Sequence, residues 1–119
     1  MARVMIAEDC APNRKMFRDF MKIGGHQVIA EAKDGAEAVE KFNETRPDVL
    51  LLDIAMPNKD GISALGEILA KSPDAKVIMI TAKEDLPTIT KCMSMGAQAY
   101  LVKPFRTDEM LEAIKMALA

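Results

Sequence analysis

Four short apolar runs in this chain each end in a residue able to handle a phosphoryl group or a metal ion. Val4-Met5-Ile6-Ala7 leads into Glu8-Asp9, and Val49-Leu50-Leu51-Leu52 into Asp53. Val77-Ile78-Met79-Ile80 leads into Thr81, and Ala99-Tyr100-Leu101-Val102 into Lys103-Pro104. Apolar runs of this length, bounded by turn signals, suit parallel strands buried on both faces. The carboxyl ends of such strands share one edge of an open sheet, where ligands bind. Three carboxylates, a hydroxyl and an ammonium would meet there. Crowded carboxylates repel one another unless a cation joins them, and Mg²⁺ suits an all-oxygen set shared with phosphate and water. Mn²⁺ has similar preferences.

The elements between the runs must place these residues. Met16, Phe17, Phe20 and Ile23 recur at helical spacing in a helix over Asn13 to Ile23, which Gly24-Gly25 stops. Gln27 to Ala32 reads as a strand with Val28 and Ala30 on one side and Ile29 on the other. Asp34 caps a helix that carries Glu37, Ala38, Val39 and Phe42 and ends before Pro47. Gly61 to Lys71 forms another, presenting Ile62, Leu65, Ile68 and Leu69. Asp85 caps a fourth, with Pro87 in its first turn and Gly96 at its end. Thr107 is expected to cap the last, with Asp108 and Glu109 near the positive end of the helix dipole. Strands alternating with helices require a parallel sheet covered on both faces.

The chain has 119 residues, half of them hydrophobic and 29% charged, which is enough for one domain with one core. A net charge of -2 offers no basic stripe for nucleic acid. No apolar run approaches the roughly 20 residues of a membrane span, and the amino end lacks the pattern of a secretion signal. A cytoplasmic monomer with reduced thiols at Cys10 and Cys92 is expected. Most of the ten methionines, Met5 and Met79 among them, read as core filler.

Taken together, Glu8-Asp9, Asp53, Met56-Pro57, Gly61, Thr81-Ala82, Gly96-Ala97, Tyr100 and Lys103-Pro104-Phe105 form a joint pattern over the full length. In that order and spacing the chain resembles the receiver domain of two-component response regulators, and most of all the single-domain chemotaxis regulators. The resemblance implies one receiver domain over 1–119 and a doubly wound, flavodoxin-like sheet. The strand order 2-1-3-4-5 belongs to the family and is carried over with it.

The resemblance also implies roles. Asp53 would accept a phosphoryl group from a histidine kinase. Asp9, Asp53 and the Ala55 carbonyl would bind Mg²⁺, with Mn²⁺ able to substitute and Glu8 helping through water. Thr81 and Lys103 would contact the phosphoryl oxygens, and the Lys103-Pro104 bond would be cis. Ala55 and Lys83 would border the phosphoryl group and govern attack by water. Tyr100 would swing inward with Thr81, changing the face of the fourth helix, fifth strand and fifth helix. Ile89, Tyr100, Lys91 and Lys115 are expected at its exposed parts, read by a motility motor component or an adaptor. Such a protein is a switch, with no enzymatic activity beyond its own phosphorylation and dephosphorylation.

Three other classes fit less well. A haloacid dehalogenase-type phosphohydrolase has a second Asp two residues after its nucleophile, where this chain has Ala55. A flavin binder needs a first loop that cradles phosphate, which Glu8-Asp9 would repel. A degenerate receiver that only binds would not need the complete set of Asp9, Asp53, Thr81 and Lys103. A receiver excised from a longer regulator is the alternative within the family.

Overall fold

A computed structural model describes residues 1–82 and 85–119. Lys83 lies outside the described residues. In chain order the elements are β1 (Arg3–Ala7), α1 (Ala11–Ile23), β2 (Gln27–Ala32), α2 (Gly35–Thr45), β3 (Val49–Asp53), α3 (Gly61–Lys71), β4 (Val77–Thr81), α4 (Leu86–Met95), β5 (Ala99–Val102) and α5 (Thr107–Leu118). Among the described residues the strands form one sheet in the order β2-β1-β3-β4-β5, with every pairing parallel. This is the doubly wound, flavodoxin-like order expected.

Strand periodicity divides the core in two. Met5, Leu50, Leu52, Val77 and Met79 pack against Phe42 of α2, Leu65 and Ile68 of α3, and Cys92 of α4. Their neighbours Val4, Ile6, Leu51, Ile78 and Ile80 pack on the other face against Phe17 and Met21 of α1 and Met110 and Ile114 of α5. All residues of β3 and β4 are buried, as continuous apolar runs imply. β5 departs from that expectation. It is an edge strand with only Leu101 fully buried, and Tyr100 stands 39% exposed.

Four further expectations need correction. Val28 and Ala30 lie on opposite faces, not the same one. The register against β1 shifts between Val4 and Met5, so Ile29 is an extra residue that reverses the alternation. α1 starts at Ala11, because Pro12 sits without cost in a first turn that precedes the apolar periodicity. Arg106, not Thr107, is the cap of α5. Its carbonyl accepts the Met110 N–H at 3.3 Å, and its own N–H donates to Glu109 Oε1 at 2.8 Å. Ile89 is buried at 5% exposure, because it lies one turn before Cys92 on the inward face of α4. Leu86 and Met93 are exposed on that helix instead.

The caps at Asp34 and Asp85 form as read, Asp34 accepting from the Glu37 N–H at 2.8 Å and Asp85 from Thr88 at 3.4 Å. Asp60 also caps α3, accepting from the Ser63 N–H at 2.8 Å. Gly61 opens α3 at a close crossing of backbones, with its N–H on the Ile54 carbonyl at 2.8 Å. A Cβ there would lie 2.1 Å from the Asp53 carbonyl oxygen. Gly61→Ala should therefore destabilise the fold by roughly 1–3 kcal/mol in urea unfolding. Gly66→Ala, mid-helix with its nearest neighbour the Met95 Cε at 3.4 Å, should stabilise it by roughly 0.5–1 kcal/mol. Equal effects at the two positions would contradict the crowding at Gly61.

Candidate functional site

Four strands, β1, β3, β4 and β5, deliver their polar residues to the same sheet edge. Glu8 follows β1 directly, and its N–H is taken by the Ala32 carbonyl of β2 at 2.9 Å. Its side chain turns inward and is 1% exposed. Oε2 accepts from the Cys10 N–H at 3.1 Å, and Oε1 from Lys103 Nζ at 2.8 Å. Asp53 closes β3 and is buried. Its Oδ1 accepts from the Ala55 N–H at 3.0 Å and its Oδ2 from Lys103 Nζ at 2.7 Å. Asp9 is exposed beside them. Glu8, Asp9 and Asp53 each offer an oxygen, and these oxygens lie within 4.8 Å of one another.

Lys103 reaches this cluster from the end of β5. Its N–H is held by the Thr81 carbonyl at 2.8 Å, and the Lys103-Pro104 bond is cis. Phe105 anchors the same loop, stacked on Phe17 at 5.6 Å and edge-on to Phe20 at 6.4 Å. Thr81 ends β4, buried and in register with Val102. A hollow of about 330 Å³ opens next to Asp53, lined by Ile54, Ala55, Thr81, Ala82, Asp85 and Thr88. Tyr100 pairs with Met79, two residues before Thr81 on β4. Period-two alternation therefore puts Thr81 and Tyr100 on the α4 side of the sheet.

The electrostatics follow from crowding. Burial, and then the contact with Asp53, push the Glu8 carboxyl up to about 7, although Lys103 and the Cys10 N–H pull it down. Burial pulls the Lys103 ammonium down, but its bonds to Asp53 and Glu8 outweigh this and its pKa is raised. With Glu8 ionised, three carboxylates against one ammonium leave two negative charges, which a divalent cation matches. The donors are all oxygens, as Mg²⁺ requires. Burial with hydrogen-bonded backbone amides fixes two of them in place.

The structure thus gathers Glu8, Asp9, Asp53, Ala55, Thr81 and Lys103 at one edge. It leaves Tyr100 at the surface and Ile89 buried on the inward face of α4. Two features escaped the sequence reading. Lys103 pairs with Glu8 as well as Asp53, over separations of 95 and 50 residues that no local pattern announces. The loop after Asp53 is latched to α2, with Asn58 Nδ2 donating to Asp34 Oδ2 at 2.9 Å and the Gly35 N–H to the Lys59 carbonyl at 2.8 Å. Asn58 has φ 66°, a left-handed conformation that Asn tolerates and that gave the available signal.

Comparison with known proteins agrees with the geometry. The model of the response regulator receiver domain matches residues 4–115. The chain is 41% identical to the chemotaxis protein CheY of Listeria monocytogenes, over 98% of both chains. It is 38% identical to the transcriptional regulatory protein PdtaR of Mycobacterium tuberculosis, over 98% of this chain and 57% of that one. A solved CheX-CheY-BeF3-Mg complex from Borrelia burgdorferi superposes with a TM-score of 0.95 at 31% identity, covering 98% of this chain and 89% of that one. The acidic edge, the doubly wound sheet and these relatives place the chain in the receiver domain family of two-component response regulators.

Proposed function

We propose that this receiver is a phosphorylation-operated binding switch in chemotaxis, with Asp53 as the phosphoryl acceptor. The observation that carries the reading is the setting of Asp53, a buried carboxylate at a strand end with an ammonium at 2.7 Å and two further acids beside it. The donor is the phosphohistidine of a histidine kinase. An Asp53 oxygen attacks phosphorus, the P–N bond breaks, and the electron pair leaves with the imidazole. Such transfer depends on positioning and on neutralising the phosphoryl oxygens. Lys103 supplies one positive charge at that point. Asp9, Asp53 and the Ala55 carbonyl would hold Mg²⁺, with Glu8 assisting through water, and the ion would supply the remaining charge. Thr81 donates its hydroxyl to a phosphoryl oxygen in the hollow next to Asp53.

The output follows from Thr81 and Tyr100 sharing the α4 side. A displaced Thr81 leaves room on that side, and Tyr100, half out of the surface, turns inward to take it. The partner reads α4, β5 and α5, where Leu86, Met93, Lys91 and Lys115 are exposed. Ile89 contributes from the inward face of α4 by packing. The relatives named CheY support a motility motor component or an adaptor as the target, reached by a monomer in the cytoplasm. Among the described residues no helix is long and apolar enough to cross a membrane. The second reading, a receiver coupled to a separate output domain, has the PdtaR match in its favour.

Beryllofluoride with Mg²⁺ stands in for the phosphoryl group and tests the switch. Amide shifts should spread from the loops around Glu8, Asp53 and Lys103 to α4 and β5, and Thr81→Ala should reduce the spread. Shifts confined to those loops would leave a phosphate-binding domain that does not switch.

A further inference from the structure

The backbone of the acidic loop is gripped from outside by one side chain. Arg14 of α1 donates from Nη1 to the Glu8 carbonyl at 2.7 Å and to the Asp9 carbonyl at 3.2 Å. Its Nε lies 3.5 Å from Glu31 Oε1 on β2, and the side chain is only 20% exposed. The same Glu31 oxygen accepts from Arg18 Nη1 at 2.7 Å. The Glu8 N–H is already held by β2 through the Ala32 carbonyl. The peptides on either side of Glu8 are thus fixed from β2 and from α1. A rigid guanidinium fork, itself held by a carboxylate, loses little freedom in making such bonds.

We propose that Arg14, braced by Glu31, is a positioning residue for the divalent-cation site: it fixes the Glu8 and Asp9 carbonyls so that both side chains stand ready with Asp53 before the ion arrives. The inference rests on the reading of these acids as an Mg²⁺ site. Two effects of Arg14 oppose each other. Its positive charge near the site repels a cation, so removing it should tighten binding by electrostatics alone. Its grip on the loop preorganises the ligands, so removing it should weaken binding. The sign of the change separates them.

The experiment titrates the full chain, cleared of metal by chelation, with Mg²⁺ alone, followed by amide shifts and calorimetry. Binding by the parent that Asp9→Ala loses establishes the site. A parent that does not bind, or binding that Asp9→Ala leaves unchanged, overturns the Mg²⁺ reading and the proposal with it. With the site established, Arg14→Met should weaken Mg²⁺ binding about 10- to 100-fold, as loss of a ligand's supporting partner does. Arg14→Lys keeps the charge and can reach a carbonyl, so it should recover part of the loss. Glu31→Gln should weaken binding less, and should add little to Arg14→Met, because the two act as one unit. Mg²⁺ binding by Arg14→Met as tight as the parent's, or tighter, overturns the positioning role. Should Arg14→Met fail to fold, Arg14→Lys and Glu31→Gln decide, and parental affinity in both overturns it.

Discussion

Asp53→Asn should gain no mass from acetyl phosphate and Mg²⁺, under conditions in which the parent gains one phosphoryl group. The expected effect is complete loss, because an amide cannot form the acyl phosphate that a carboxylate forms. Acetyl phosphate makes the test independent of any kinase. The substitution is nearly isosteric at a buried position and keeps an oxygen for the Ala55 N–H, now at 3.0 Å from Oδ1. It also removes one of three crowded charges, and Lys103 Nζ, facing an amide in place of Oδ2, keeps Glu8 Oε1 at 2.8 Å as its partner. Intact-mass measurement of both proteins, with far-UV circular dichroism as the check on folding, decides the matter. Labelling of Asp53→Asn at the parental level would place the acceptor elsewhere, with Asp9 the next carboxylate to replace.

The strands and their chemical ends were legible because the signal is local. Four apolar residues followed by an acid, a hydroxyl or a lysine define both a buried strand and what it delivers to the sheet edge. Caps at Asp34 and Asp85 are equally local, since each carboxylate bonds an N–H three residues on. The failures are of another kind. Ile29 as a bulge depends on how β1 pairs with β2, and the sequence of β2 alone still alternates. Ile89 and Met93 occupy neighbouring turns of α4 with similar side chains. Only the direction of the sheet beneath the helix buries one and exposes the other. Arg14 looks like an ordinary basic residue on a helix surface. Its partners are main-chain carbonyls, which leave no mark in a sequence.

Without metal, three single substitutions in the charge cluster should move stability, two of them in one direction and one in the other. Glu8 titrates near pH 7 in the fold against an ordinary value of 4.5, chiefly because it is buried. A carboxyl with a raised folded pKa contributes stability that is fully present below its unfolded value and is lost as pH rises through its folded one. The metal-free parent should therefore weaken between about pH 5 and pH 8 from this group. Each tenfold in proton affinity corresponds to about 1.4 kcal/mol, so the loss is at most about 3 kcal/mol. Lys103, with its pKa raised, loses its contribution only at alkaline pH and adds nothing to this window. Glu8→Gln should accordingly be more stable than the parent by roughly 1–3 kcal/mol at about pH 8, with the gap closing at about pH 5. Asp9→Ala should move in the same direction by removing a like charge. Lys103→Met does the reverse, stripping the ammonium from two carboxylates that are 1% and 4% exposed. Removing one partner of a buried pair costs 3–5 kcal/mol, and about 3 is expected here because Lys103 itself is 24% exposed. Mg²⁺ should offset the alkaline loss in the parent by mass action. Urea unfolding of the four chains in chelator, at both pH values and with Mg²⁺ restored, reads all of these terms. A parent whose stability is flat across that range, together with a Glu8→Gln chain less stable than it at the higher pH, would mean that the buried acids carry no unmet charge, and the electrostatic case for a divalent cation at this edge would fall.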